Sequence, residues 1–189
     1  MVNIPTDLWI PAVTKPEETL AKASKGKASL VDAAAVMALA GLVGGAVGGL
    51  FSGPIGFVVG AISGAIGMLI GSLLGSSLIW VIANLLGGKG EFSKQYYLYS
   101  LFGAPITIAG SVLGLIPIVG SMIGGLLGLY MLWPLTISIK QVHKLDTVKA
   151  VLAWLIPGII LVAITFVVGA AIAALLVMSG ITMNPGGFS

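Results

Sequence analysis

Cysteine is missing from the 189 residues, and with it every disulfide, thiol nucleophile and thiolate metal site. Arginine is missing too. All nine basic residues are lysines, so no planar guanidinium is present to clamp a phosphate or carboxylate with two parallel bonds, and no nucleic-acid partner is expected. Charge of either sign is scarce: 8% of residues are charged against 58% hydrophobic, and the mean hydropathy is +1.13. Such a balance lies far from that of soluble domains and places the chain in a membrane.

Reactive constellations are equally thin. There is one histidine, His143, and neither paired carboxylates at catalytic spacing, nor His-Glu-x-x-His, nor a Gly-x-Ser-x-Gly elbow. His143 and Asp146 stand three apart and could meet on a helix face, but without a nucleophile the pair reads as a loop contact. Gly87-Gly88-Lys89-Gly90 resembles a phosphate loop only superficially, because no strand precedes it. No enzyme, cofactor or metal is expected. Asp32 stands at the mouth of the first apolar run rather than inside it, which disfavours proton- or sodium-coupled transport.

What is present is apolar sequence in three charge-free stretches: Ala33 to Gly88, Gln95 to Ile139 and Ala150 to Ser189. A helix needs about 20 residues to cross roughly 30 Å of hydrocarbon. The first stretch therefore holds two crossings, broken at Phe51-Ser52-Gly53-Pro54. The second also holds two, broken near Leu115-Ile116-Pro117, because proline ends the preceding helix. The third holds one, followed by the turn-rich Asn184-Pro185-Gly186-Gly187. With five spans every lysine falls on one side, and by the positive-inside bias that side is cytoplasmic. The N-terminus is then inside and the C-terminus outside. Trp80, Tyr96, Tyr97, Tyr99, Tyr130, Trp133 and Trp154 lie toward the same side, where amphipathic rings favour the headgroup zone.

The fold class is accordingly all-α: a polytopic bundle of five spans with a cytoplasmic N-terminus, preceded by a short interfacial helix. Residues 1–30 form a cytoplasmic segment, 31–178 the transmembrane domain and 179–189 a short outer tail. Met1 to Leu30 is too polar for a signal peptide, so the first span is expected to remain. Thr14-Lys15-Pro16-Glu17 reads as a capping box opening the short helix, which either rests on anionic headgroups or is solvated.

Glycine is plentiful and patterned. Gly53, Gly56, Gly60, Gly64, Gly67, Gly71 and Gly75 recur at three- or four-residue intervals, forming one stripe on a helix face. Gly41, Gly45 and Gly49 repeat the device in the first span, and Gly120, Gly124 and Gly128 in the fourth. Small residues let helices approach closely in lipid, whether within the chain, between subunits or around a pore. Pro105, Pro134 and Pro157 fall inside spans three, four and five, as kinks or as the lining of a gated cavity. Lys89, Lys94, Lys140, His143, Lys144 and Lys149 are assigned to the cytoplasmic surface.

These residues carry a family resemblance. The order Gly88-Lys89-Gly90-Glu91-Phe92, Ala104-Pro105, Ile116-Pro117 with Gly120, Trp133-Pro134, Lys140, His143-Lys144-Leu145, Lys149-Ala150 and Pro157 resembles the Yip domain family of five-span membrane proteins, named for interaction with Ypt/Rab GTPases. Lys15-Pro16-Glu17-Glu18-Thr19-Leu20 is similar to the proline-led helix before the first span in its prokaryotic members. The resemblance implies a cytoplasmic N-terminus, a helical bundle, no known catalysis and, in eukaryotic members, GTPase and hetero-oligomeric partners. The segment before the first span is short by comparison with those members, which fits a prokaryotic relative in the cell membrane. The function expected is non-enzymatic: organising membrane or binding a partner, either a second copy or another protein, through glycine faces and a basic surface that also meets lipids. The alternative is a passive channel, small-molecule conduit or lipid-moving protein.

Overall fold

In the computed structural model the described residues are 4–178, and among them the only regular elements are helices. Two short helices, α1 (Trp9–Thr14) and α2 (Pro16–Ala23), precede five long ones: α3 (Leu30–Gly49), α4 (Gly53–Leu85), α5 (Phe92–Leu113), α6 (Val119–His143) and α7 (Thr147–Met178). The outer tail expected from Ser179 lies outside the described residues.

Local sequence sets the breaks. Lys15, restricted by the ring of Pro16, leaves the helical region (φ −134°, ψ 60°) and separates α1 from α2. The expected capping box does not form. Thr14 is instead the last residue of α1, and its hydroxyl donates back to the Ile10 carbonyl (2.9 Å). Helix α2 opens with Pro16 and has Glu17 and Glu18 in its first turn and Lys22 in its last, as the helix dipole favours. Ser29 caps α3 by accepting the Asp32 amide (3.1 Å), so Asp32 is a first-turn residue. A single 3-10 turn, Leu50–Ser52, and Gly53 at φ +74° reverse the chain into α4.

Helices α3 and α4 form an antiparallel hairpin whose seam is glycine on both sides. Gly41 faces Gly64, Gly45 faces Gly60 and Gly49 faces Gly56, so the pairing advances one turn on α3 as it recedes one turn on α4. A Cβ on Gly41, Gly45, Gly60 or Gly64 would come within 3.0 Å of backbone on the other helix. Backbone contact this close is possible only without side chains, and in lipid it supplies dispersion that no hydrophobic drive replaces. Helices α5 and α6 form a second hairpin, turned at 114–118, with Gly120 against the Leu113 carbonyl.

The stripe predicted along α4 is divided. Gly56, Gly60 and Gly64 belong to the seam, whereas a Cβ on Gly67, Gly71 or Gly75 would meet open space, as would one on Gly124 or Gly128 of α6. The seam continues on α4 at Met68, four residues beyond Gly64 and against Gly41, whereas the three-residue step from Gly64 to Gly67 turns the later glycines off that line.

The chain divides into two compact units, one through Trp154 and one from Leu155. In the first, the core gathers Leu20, Leu98, Leu101, Phe102, Ile139 and Ala150 in one cluster, and Val36, Met37, Tyr96 and Ala104 in another. Its hairpin tips are apolar and bare, with Phe51 85% and Ile118 77% exposed. In the second, the remainder of α7 passes through Pro157 and presents apolar residues such as Ile159, Val162 and Phe166 on its surface. Four stretches of the described residues are long and apolar enough to cross a membrane: Leu30–Leu85, which holds the whole α3–α4 hairpin, Phe92–Leu113, Val119–His143 and Thr147–Leu176.

The seam makes a contrast testable by thermal unfolding in detergent. Gly45→Ala should destabilise the protein by roughly 1–3 kcal/mol, because the new methyl meets backbone that cannot rotate away. Gly67→Ala, into open space, should be neutral or stabilising by up to about 1 kcal/mol through helix propensity.

Candidate functional site

The polar centre of the molecule lies where α4, α5 and α6 end or begin, around His143. The sequence assigns this residue to the surface; the structure buries it, at 2% exposure. It closes α6 on the inward side, and the turn between α4 and α5 folds over it. That turn is glycine for two reasons. Gly87, at φ +98°, ends α4: its own amide donates to the Asn84 carbonyl, and the Gly88 amide to that of Ala83 (2.9 Å). Gly88 and Gly90 then lie against the imidazole. A Cβ on Gly88 would stand 2.6 Å from Nδ1, and one on Gly90 would be 2.9 Å from the Val142 carbonyl oxygen. The glycine-rich loop that superficially resembles a phosphate cradle is a histidine cradle.

Hydrogen bonds through the ring run in one direction. The Gly90 amide donates to Nδ1 (3.2 Å), and an amide can only donate, so the proton of the neutral ring sits on Nε2. Nε2 donates to Oε1 of Gln95 (2.7 Å), and the Gln95 amide nitrogen donates to the Ser76 carbonyl (2.9 Å). Gln95 is itself 1% exposed. One chain of bonds therefore ties the α4–α5 turn, the end of α6, the first turn of α5 and the body of α4. Trp80 adds a further clasp by donating from Nε1 to the Gly90 carbonyl (2.8 Å).

Beside it runs a ladder of rings: Trp80, Phe92, Tyr96, Tyr99 and Phe102, each in contact with the next at centroid separations of 5.5 to 6.4 Å. Tyr96, predicted at the headgroups, is buried, and its hydroxyl bonds that of Ser72 (2.8 Å). Trp133 and Tyr130 keep their faces outward. The Tyr130 hydroxyl donates to the Val13 carbonyl and so ties α6 to α1.

The other residues singled out in the sequence separate by position. Lys89, Lys144 and Lys149 are exposed, while Lys94 and Lys140 are half-buried. Lys140 donates to the Thr147 hydroxyl (2.8 Å), bracing the α6–α7 turn, and Lys144 closes α6 in the left-handed conformation. Asp146 accepts the Lys149 amide (2.9 Å) at the start of α7, while the His143 ring is bonded to Gly90 and Gln95. Pro105 and Pro134 lie inside helices that continue through them; Pro134 is fully buried, and Pro105 borders a groove with Trp9 and Leu127. Gly71, Gly75 and Gly128 line a cavity of about 210 Å³ with Ser72, Ser76 and Tyr99. Among the described residues no three His, Asp or Glu side chains are grouped to hold a metal.

Gln95, Ser76 and Trp80 are the parts sequence reasoning missed. An amide at the very edge of an apolar stretch, Gln95 beside Lys94, was the available signal, since once packed such a group needs a buried partner. Gln95→Ala would strand the Nε2 proton and should cost roughly 1–3 kcal/mol in a denaturation titration. The doublet with His143→Ala should cost less than the sum of the singles by about 0.5–3 kcal/mol, because both remove one chain of bonds.

The Yip1 domain model matches residues 12–170, from α1 to beyond the midpoint of α7. No curated protein and no solved structure matches the chain. A match over most of the sequence, on helices long and apolar enough to cross a membrane, makes this chain an integral membrane protein of the Yip1 domain family.

Proposed function

We infer that the protein is non-enzymatic and threads the membrane five times, with its N-terminus and all its lysines in the cytoplasm, organising membrane or binding a partner there. The supporting observation is the alternation of helix direction. Helices α3 and α4 are antiparallel along their glycine seam. The Leu113–Gly120 contact and the His143–Gln95 bond make α5 and α6 antiparallel, and Trp154 bonded to Thr136 reverses the first turns of α7 against α6. Each lysine-bearing turn thereby falls at one end of the bundle. Helix α4 is about 50 Å long against roughly 30 Å of hydrocarbon. Its surplus turns accommodate the polar cluster at the water-facing end. Both nitrogens of the buried imidazole are occupied by neutral partners, a clamp rather than a general base.

The partner is a second copy or another membrane or cytoplasmic protein; the GTPase partners of eukaryotic relatives enter only through the family resemblance. The prokaryotic cell membrane is the proposed location. Crosslinking in native membranes followed by mass spectrometry should trap a dimer or a heteromeric species. Recovery of monomer alone, where control complexes are trapped, would count against the reading. Because the chain has no native cysteine, Lys144→Cys should react with an impermeant maleimide only from the cytoplasmic side and Ser52→Cys only from the outside. The reverse pattern overturns the orientation.

One observation favours a second reading, a passive conduit or lipid-moving protein: the cavity bordered by Gly71, Gly75 and Gly128. Dye, ion and labelled-lipid flux from proteoliposomes at the protein-free rate would remove it.

A further inference from the structure

A further cavity lies apart from the histidine cluster, against the two N-terminal helices. It measures about 520 Å³ and is bordered by α1, α2, the segment leading into α3, and α5. Its rim carries Lys15, Lys22 and Lys27 against a single carboxylate, Glu18, and its floor is apolar, with Leu8, Pro11 and the ring of Tyr97. Among the described residues none of the three lysines is held in an ion pair. Asp7 and Asp32 are not among the residues that line the cavity.

Position separates this cavity from an ordinary basic surface. Helix α1 is held by the body of the bundle: Ala12 is fully buried, and Ile10, 75% exposed, borders an apolar groove with Pro105 and Leu127. A bare isoleucine at that level belongs in hydrocarbon, whereas Lys15 at the break after α1, Lys22 in the last turn of α2 and Lys27 beyond it need water or a counter-charge. The cavity therefore straddles the boundary between the two. A ligand that fits must bring negative charge to the rim and apolar substance to the floor. A soluble anion satisfies only the first requirement.

We propose that this cavity binds the headgroup and glycerol region of an anionic phospholipid, with the phosphate on Lys15, Lys22 and Lys27 and the first carbons of the lipid on Leu8, Pro11 and the Tyr97 ring. Lysine suits the task as a compact point charge that meets a phosphate oxygen singly. The inference rests on the proposed function only in setting α1 and α2 at the membrane surface; it needs neither a protein partner nor a five-span count.

The full chain, purified in micelles containing equal phosphatidylglycerol and phosphatidylcholine, provides the test, with retained lipid counted by native mass spectrometry. The unmodified protein should retain phosphatidylglycerol in preference by about 25-fold, given roughly fivefold per lysine facing an anionic headgroup, with one of the three offset by Glu18. The triple variant K15Q/K22Q/K27Q should bring the two lipids to parity, while K89Q/K144Q/K149Q, which removes the same charge from the exposed turns, should keep the preference. Ala23→Leu, which narrows the floor without altering charge, should lower phosphatidylglycerol retention as well, and it decides the matter should the triple variant fail to fold. No preference in the unmodified protein, equal loss in both triple variants, or retention unaffected by Ala23→Leu each overturns the proposal. Displacement of the lipid by excess inorganic phosphate would assign the site to a soluble anion instead. Partner crosslinking is read separately, so either idea can fail without the other.

Discussion

The run of bonds from the Gly90 amide through His143 and Gln95 to the Ser76 carbonyl holds together parts of the chain that apolar packing alone leaves free to slide. In lipid, one apolar helix slides against another at little cost, since the tails are as apolar as the side chains. A directional polar chain is different, because each member is buried and each would be orphaned by a shift of one residue. The α4–α5 turn, the end of α6 and the first turn of α5 are fixed by it in one register. The aromatic ladder and the Tyr96–Ser72 bond then extend that register along α5.

Glycine does two different things in this fold. Along the upper part of α4 it removes every obstacle to backbone contact with α3, and the hairpin closes to a distance no other residue permits. Along the lower part, past the three-residue step from Gly64 to Gly67, the glycines lie off the α3 seam, and Gly71 and Gly75 border a cavity with Gly128 of α6. The same residue thus yields a contact or a cavity according to whether it lies on the line that the partner helix follows.

The N-terminal helices are part of the packed body. Ala12 and Leu20 are fully buried, and the Tyr130 hydroxyl reaches the Val13 carbonyl. Their lysines are thereby arranged around a defined hollow instead of being spread on a loose arm, a difference that matters for recognition because ordering a flexible segment on binding costs entropy that a docked one has already lost.

Much of this organisation was legible in the residues. Three charge-free stretches, Gly53-Pro54 and Pro117 located the helices and their turns, because proline and glycine act on the chain locally whatever surrounds them. The small-residue spacing announced close packing, and the ordered short motifs pointed to the Yip1 domain family. Two matters were decided only by the tertiary structure. Which half of the α4 stripe is occupied depended on the line along which α3 crosses it. Whether His143 faces water depended on Gly88 and Gly90 bringing a turn from more than fifty residues away against its ring. A sequence pattern records what one segment can do, whereas burial and pairing belong to two segments at once, and their meeting is set by the whole chain.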